Sequence, residues 1–225
     1  MIREVEAKSV LQKSKLPESP YCLNPYVGCT HRCCYCYARF MRRFTGHLEP
    51  WGTFVDVKTN APAILKKQLS NRRINGPVLI GSVCDAYQPV ERRYRLTRDC
   101  VELFVSRGVP FSILTKSSLV LRDLEVLLAG PEQVTIGVSL SMLDDSTRRI
   151  VEPGASSITE RLDVLEKLHS SGIRTYVFIG PVLPHITDPE AIVAATASVV
   201  DEVWGECLNL RCRRSEEHTS ELQSH

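Results

Sequence analysis

Residues 97–115 read TRDCVELFVSRGVPFSILT. The first part predicts an amphipathic helix over 97–107 that ends at Gly108, and the last part a short apolar strand over 111–115. The same unit recurs on both sides. Upstream, a helix over 60–70, with Thr59 or Asn60 as N-cap and Pro62 in its first turn, precedes a strand over 77–81. Downstream come a helix over 121–128 stopped by Gly130 and Pro131, a strand over 134–140, a helix over 158–171 ending at Gly172, and a strand over 174–179. A helix over 189–200 and a strand over 203–208 follow. With a first strand over 21–28, the region around Val27 that leads into the cysteine loop, this makes six candidate strands. Short apolar strands alternating with helices predict parallel βα units. Right-handed crossovers then leave an open doubly wound sheet or a barrel. No glycine-rich dinucleotide fingerprint follows the first strand. Polar residues fall at the C-terminal ends of strands: Asp85, Lys116, Ser139, Ser141 and Pro181. Active sites of parallel α/β folds lie at those ends in both arrangements. Residues 1–20 are polar with two prolines and predict an irregular leader, and 38–44 predict a helical stretch.

The 225 residues suit one domain, and 43% hydrophobic with 24% charged residues reads as globular. The net charge of +2 is too small to imply a nucleic acid or a membrane surface as partner. No apolar run approaches the roughly 20 residues of a membrane helix, and the N-terminus lacks a signal segment. A reducing cytoplasm is the expected compartment. Residues 214–225 resemble a translated sequencing adapter, so they are expected not to be native, and the core over 21–213 is expected to be cut short at its C-terminal end.

There are nine cysteines, an odd number, which argues against a disulfide framework in a chain that is not secreted. Five lie between Cys22 and Cys36. Within them, Cys29, Cys33 and Cys36 form C-x3-C-x2-C with Tyr35 before the last. Three thiolates on one loop can hold three corners of an iron–sulfur cube and leave the fourth iron open. An open position marks a catalytic metal site. The alternatives are a zinc knuckle completed by Cys22, Cys34 or His31, or buried thiols acting as small hydrophobes. No second pair with zinc spacing follows; Cys207 and Cys212 are spaced too loosely.

The cysteine loop resembles the signature of the radical S-adenosylmethionine (SAM) superfamily, C-x3-C-x-aromatic-C. Further stretches are similar to the spore photoproduct lyase branch: Asn24-Pro25, residues 34–38, Asp85-x-Tyr87-Gln88-Pro89-x-Glu91, Leu96-Thr97-Arg98, Leu114-Thr115-Lys116-Ser117, Val138-Ser139, Glu152-Pro153, Arg161-Leu162 and Gly180-Pro181-Val182. The resemblance covers about residues 22–210. It implies an α/β fold, a partial (β/α)6 TIM-like barrel of parallel strands. It also implies a [4Fe–4S] cluster on Cys29, Cys33 and Cys36, and SAM chelated at the open iron. The implied reaction is reductive cleavage of SAM to a 5′-deoxyadenosyl radical, which takes hydrogen from an unknown substrate, with an external electron donor. Lys116 matches the position that meets the methionine carboxylate. Ser139, with Ser141 behind it, suits a ribose hydroxyl or the carboxylate, and Cys84 with Asp85 the methionine end. Tyr35 and Tyr37 match tyrosines that assist hydrogen transfer in the lyase. Where the lyase carries a hydrogen-donating cysteine, two positions before Cys84, this chain has Ser82.

Three function classes follow: a radical SAM enzyme of unknown substrate, the same chemistry applied to a DNA photoproduct, and a zinc-binding module without activity. Basic groups at Arg39, Arg42 and Arg43, at Lys66, Lys67, Arg72 and Arg73, and at Arg92, Arg93, Arg95 and Arg98 would suit phosphates only if they converged. Glu49, Asp56, Glu91 and Asp99 interleave with them.

Overall fold

The computed structural model describes residues 1–16 and 18–208. The expected tail over 214–225 and Cys212 lie outside the described residues. The strands are β1 (Ile2–Val5), β2 (Leu11–Leu16), β3 (Ser19–Leu23), β4 (Tyr26–Val27), β5 (Val55–Lys58), β6 (Val78–Ile80), β7 (Phe111–Thr115), β8 (Val134–Ser139), β9 (Arg174–Val182) and β10 (Glu202–Cys207). The α-helices are α1 (Ala61–Asn71), α2 (Glu91–Tyr94), α3 (Leu96–Ser106), α4 (Leu124–Leu128), α5 (Asp145–Val151), α6 (Ile158–Ser170) and α7 (Pro189–Thr196).

The main sheet has seven strands in the order β10-β9-β8-β7-β6-β3-β2. Six are parallel in sequence order, and β2 joins the edge antiparallel to β3. The sheet curls but β2 and β10 do not pair, which makes it the partial barrel the resemblance implied. A second sheet, β1-β5-β4, lies beside it. Apolar residues of α3 and α6 cover the main sheet: Val101 and Phe104 from one, Val164, Leu165 and Leu168 from the other. The Ser157 hydroxyl and the Glu160 carboxylate form a reciprocal capping box that starts α6. Among the described residues no helix is long and apolar enough to cross a membrane.

Several elements differ from the expectation. The leader is not irregular: β1 and β2 lie in it. β1 pairs with β5 and β2 with β3, so tertiary pairing outweighs weak local signals there. The expected first strand over 21–28 divides in two: residues 21–23 belong to β3, the first parallel strand, and Tyr26–Val27 form β4, which pairs with β5 in the small sheet. The helix over 38–44 is a 3-10 helix over Tyr37–Phe44. The helix over 121–128 divides into a 3-10 turn, Ser118–Asp123, and α4. Strand β5 and helix α5 were not anticipated. Cys84 and Asp85 sit in the loop beyond β6, which stops at Ile80.

Candidate active site

The cysteine loop is held from below by residues far away in sequence. The Cys34 amide donates to the Val151 carbonyl at 2.9 Å, and the Gly154 amide to the His31 carbonyl at 3.0 Å. Gly154 has no room for a side chain: a Cβ there would come within 2.2 Å of the Thr30 carbonyl oxygen. Gln88, fully buried, clamps the other end. Its amide nitrogen donates to the Gly28 carbonyl at 3.0 Å, and its oxygen accepts from the Thr30 amide at 3.0 Å. Gly28 has φ +93° and packs against the Phe54 carbonyl, so a glycine is required at the loop entrance.

Asp85 knits this loop to β7. Its carboxylate accepts from the Thr115 hydroxyl, the Lys116 amide and the Tyr87 amide, each at 2.8 Å, and lies 3.3 Å from His31 Nδ1. Burial alone would raise the Asp85 carboxyl, but the His31 imidazole and these donors outweigh it and hold it at about 2. These contacts tie the cysteine loop to the end of β7, so Asp85 helps shape the site.

Thr115 stands opposite Val138 in the ladder, which brings Lys116 level with Ser139. Lys116 Nζ donates to the Ser139 hydroxyl, lies 3.6 Å from Glu152 Oε1 and sits 5.8 Å from the centre of the Tyr35 ring. The Tyr35 hydroxyl donates to the same Glu152 oxygen. Arg161 donates to Glu152 Oε2 at 2.5 Å, to the Ser139 carbonyl at 3.0 Å and to the Ser156 carbonyl at 2.9 Å. The hydroxyls of Ser139 and Ser141 donate to the Gly180 carbonyl at 3.2 and 2.9 Å. Burial would raise the Glu152 carboxyl, but Lys116 and Arg161 hold it below its ordinary value. Burial, with the Glu152 charge next in weight, pushes the Tyr35 phenol well up.

Expected site residues thus fall into two groups. Lys116, Ser139, Ser141, Tyr35 and Cys33 come together at the C-terminal ends of β7 and β8. Cys84 is not in that group but packs in the cluster that Cys29 adjoins, its thiol toward Asn24 Oδ1 at 3.7 Å, and Tyr37 donates to the Ser82 carbonyl. Asn24 also donates to the Ser82 hydroxyl at 2.9 Å. Three residues that shape the site had been given no role there, Glu152, Arg161 and Gln88, and His31 had been considered only as a zinc ligand. Arg161 had left a signal, since it occupies the apolar stripe of α6 with Ile158, Leu165 and Leu168. A charge in such a stripe is paired or costly.

The thiols suit a cluster. Burial pushes Cys29 well up, Cys33 up to about 12 and Cys36 upward, so without metal all three are held as neutral thiols. A bound cation reverses that logic, and soft thiolates suit iron–sulfur clusters as they suit zinc. Cys29 and Cys33, and Cys33 and Cys36, lie close enough for their charges to interact. The Thr30 hydroxyl, inside the loop, is buried without a partner. Among the described residues no three ligand side chains gather as one metal ion requires.

The profile of the Radical SAM superfamily matches residues 23–196. A protein of Methanocaldococcus jannaschii is 35% identical over 217 residues, covering 96% of this chain and 81% of its own. The Radical SAM Nalpha-GlyT isomerase of Pseudomonas phage M6 is 29% identical over 170 residues, covering 75% of this chain and 34% of its own. A spore photoproduct lyase variant with bound AdoMet and dinucleoside spore photoproduct has the same fold, with TM-score 0.70 and 15% identity over 96% of this chain. The match spans 65% of that lyase chain. The chain belongs to the radical SAM superfamily.

Proposed function

We propose that this member of the radical SAM superfamily holds a [4Fe–4S] cluster on Cys29, Cys33 and Cys36 and binds SAM above the ends of β7 and β8. One observation carries the reading: Cys33 and Tyr35 of the cysteine loop meet Lys116, Ser139 and Glu152 at the strand ends. When bound, cluster and SAM supply reductive cleavage that delivers an adenosyl radical to a substrate C–H bond. The protein's own part is positional. Lys116 offers an ammonium to the methionine carboxylate. Ser139 and Ser141 offer hydroxyls to that carboxylate or to the ribose. Glu152 and Arg161 fix the orientation of Lys116 and Tyr35, and Cys84 with Asp85 borders the methionine end. Tyr35 and Tyr37 flank the last ligand and assist hydrogen transfer.

The substrate is left open by chemistry common to the superfamily. The chain is similar in sequence to an isomerase and in fold to a photoproduct lyase, and a fold by itself does not name a reaction. Repair of a DNA photoproduct is the weaker reading, because Ser82 has no S–H to return a hydrogen atom to a product radical.

The test is anaerobic reconstitution with iron and sulfide, reduction, addition of SAM and assay for 5′-deoxyadenosine, with Cys36→Ala as control. Product with the intact triad and none with the control supports the reading. Tightly held zinc in place of iron would overturn it and leave a zinc-binding module.

A further inference from the structure

We propose that Trp51 is a positioning residue for the cluster: its indole N–H holds the Cys36 sulfur and raises the potential at which the cluster accepts an electron. This rests on the cluster reading above. Trp51 is half-buried in the turn over 50–53, outside the cysteine loop. That segment is laid against the loop at two points. A Cβ at Gly52, where φ is +95°, would meet Arg32 Cγ at 3.0 Å and Arg32 Cα at 3.3 Å. A Cβ at Gly28 would come within 2.3 Å of the Phe54 carbonyl oxygen. Neither glycine can take a side chain without a shift, so residues 52–54 run close along the loop. The Thr53 amide and hydroxyl donate to the Pro50 carbonyl at 3.2 and 2.7 Å, which closes the turn around Trp51. In this position the indole N–H donates to Cys36 Sγ.

The indole is braced by other rings. Trp51 meets Phe54 edge-on, with centroids 5.7 Å apart and planes at 89°. Phe54 is fully buried and stacks on His47 at 3.9 Å and 19°. His47 is fixed at its two ring nitrogens, by Asp56 at 2.9 Å and by Glu49 at 3.1 Å. A row of three rings thus runs from an anchored imidazole to the last cysteine of the triad. Backbone amides also meet the sulfurs: those of His31 and Asp85 face Cys29, and that of Ala38 faces Cys36. These persist whatever the side chain, whereas the Trp51 donor can be removed by substitution. Indole has one N–H and no acceptor, so its polar atom has a single use. Hydrogen bonds to the sulfurs help set the potential of an iron–sulfur cluster. Reduction adds one negative charge, and a donor on a ligand sulfur stabilises the more negative state. The electron comes from an external reductant, which is oxidised by one electron; no bond breaks and no proton moves.

The experiment compares the reconstituted parent with three forms. Trp51→Phe removes the indole. A benzothiophene analogue of tryptophan, placed at position 51 alone, keeps the bicyclic shape and lacks the N–H. Trp204→Phe changes the other tryptophan, in β10, and is the control. Each loaded protein is titrated with dithionite and the reduced cluster is followed by electron paramagnetic resonance. The midpoint is expected to fall with Trp51→Phe and with the analogue, and to stay unchanged in the control. The expected shift is on the order of tenfold in the ratio of reduced to oxidised cluster at a fixed potential, which for one electron is about 59 mV. In the Trp204→Phe protein, Trp51 emission is expected to be quenched when the cluster is loaded and to return on chelation. An analogue with the parent's midpoint overturns the proposal and leaves Trp51 a packing residue, even if Trp51→Phe shifts. Unquenched Trp51 emission overturns it too. If the parent holds no iron–sulfur cluster, or Cys36→Ala holds as much iron as the parent, the cluster reading fails first and this inference falls with it.

Discussion

The two oxygens of Glu152 are divided between partners: Oε2 receives Arg161 at 2.5 Å, and Oε1 receives the Tyr35 hydroxyl and faces Lys116 Nζ at 3.6 Å. The side chains of Glu152 and Arg161 are both fully buried. Taking one member from such a pair leaves a buried charge uncompensated, at a cost of about 3–5 kcal/mol. Glu152→Gln is expected to lower the unfolding free energy by that order in a denaturant titration. An unchanged midpoint would mean that Arg161 finds other compensation. In the loaded enzyme the same variant is expected to raise the KM for SAM.

Asp85 links folding to acid. A carboxyl held at about 2, against an ordinary value near 3.8, adds stability that is fully present above pH about 4. That contribution, about 2 kcal/mol, fades as pH falls toward 2, because protonation in the unfolded chain then competes. Asp85→Asn is expected to lower stability at pH 7 and to flatten its decline between pH about 4 and 2. Parallel curves for the two proteins would exclude Asp85 as the source.

Gly154→Ala forces a methyl group to within 2.2 Å of the Thr30 carbonyl oxygen. Backbone cannot yield as a flexible side chain does, so the cysteine loop must move. Overpacking of this kind costs about 1–3 kcal/mol. The expected result is a protein that folds with lower stability and retains less iron after reconstitution and desalting. Full iron content would show that the loop tolerates the displacement.

The cysteines outside the triad are expected to be dispensable for iron. Cys100 is fully buried among apolar neighbours in α3, Cys22 is half-buried in β3, and Cys34 is exposed. Alanine at any of these should leave iron content unchanged, whereas alanine at Cys29, Cys33 or Cys36 should abolish it. Iron loss from Cys34→Ala would make it a ligand and break the assigned triad.

The parallel core was legible because its strands carry short apolar runs between helices with clear stops, such as Gly108 and Gly172. Strands β1, β2 and β5 were not, because charged residues fill them and their order comes from partners far along the chain. Arg3 illustrates this: its guanidinium pairs with Asp56 at 2.6 and 2.7 Å, a contact that no local pattern shows. The C-x3-C-x2-C spacing pointed to Cys29, Cys33 and Cys36 as candidate ligands. The support around them could not be read that way, since Gln88, Glu152 and Arg161 act through burial, and burial depends on the assembled fold. Asp85 was legible as a polar residue beyond a strand end, but its bonds to His31, Thr115, Tyr87 and Lys116 depend on elements the local pattern does not bring together.

The brace beneath the cysteine loop also imposes an order of events. Cys34 hangs from Val151 and His31 from Gly154, so the loop's shape depends on residues more than a hundred positions later. A chain emerging during synthesis has all three proposed ligands in hand well before it has the floor they rest on. Metal offered at that stage meets an unshaped, solvent-exposed set of thiols with no preference for a cube over a single ion. If the proposed cluster is the cargo, selective loading must wait until α5 has docked, which would make its assembly a late step for this chain.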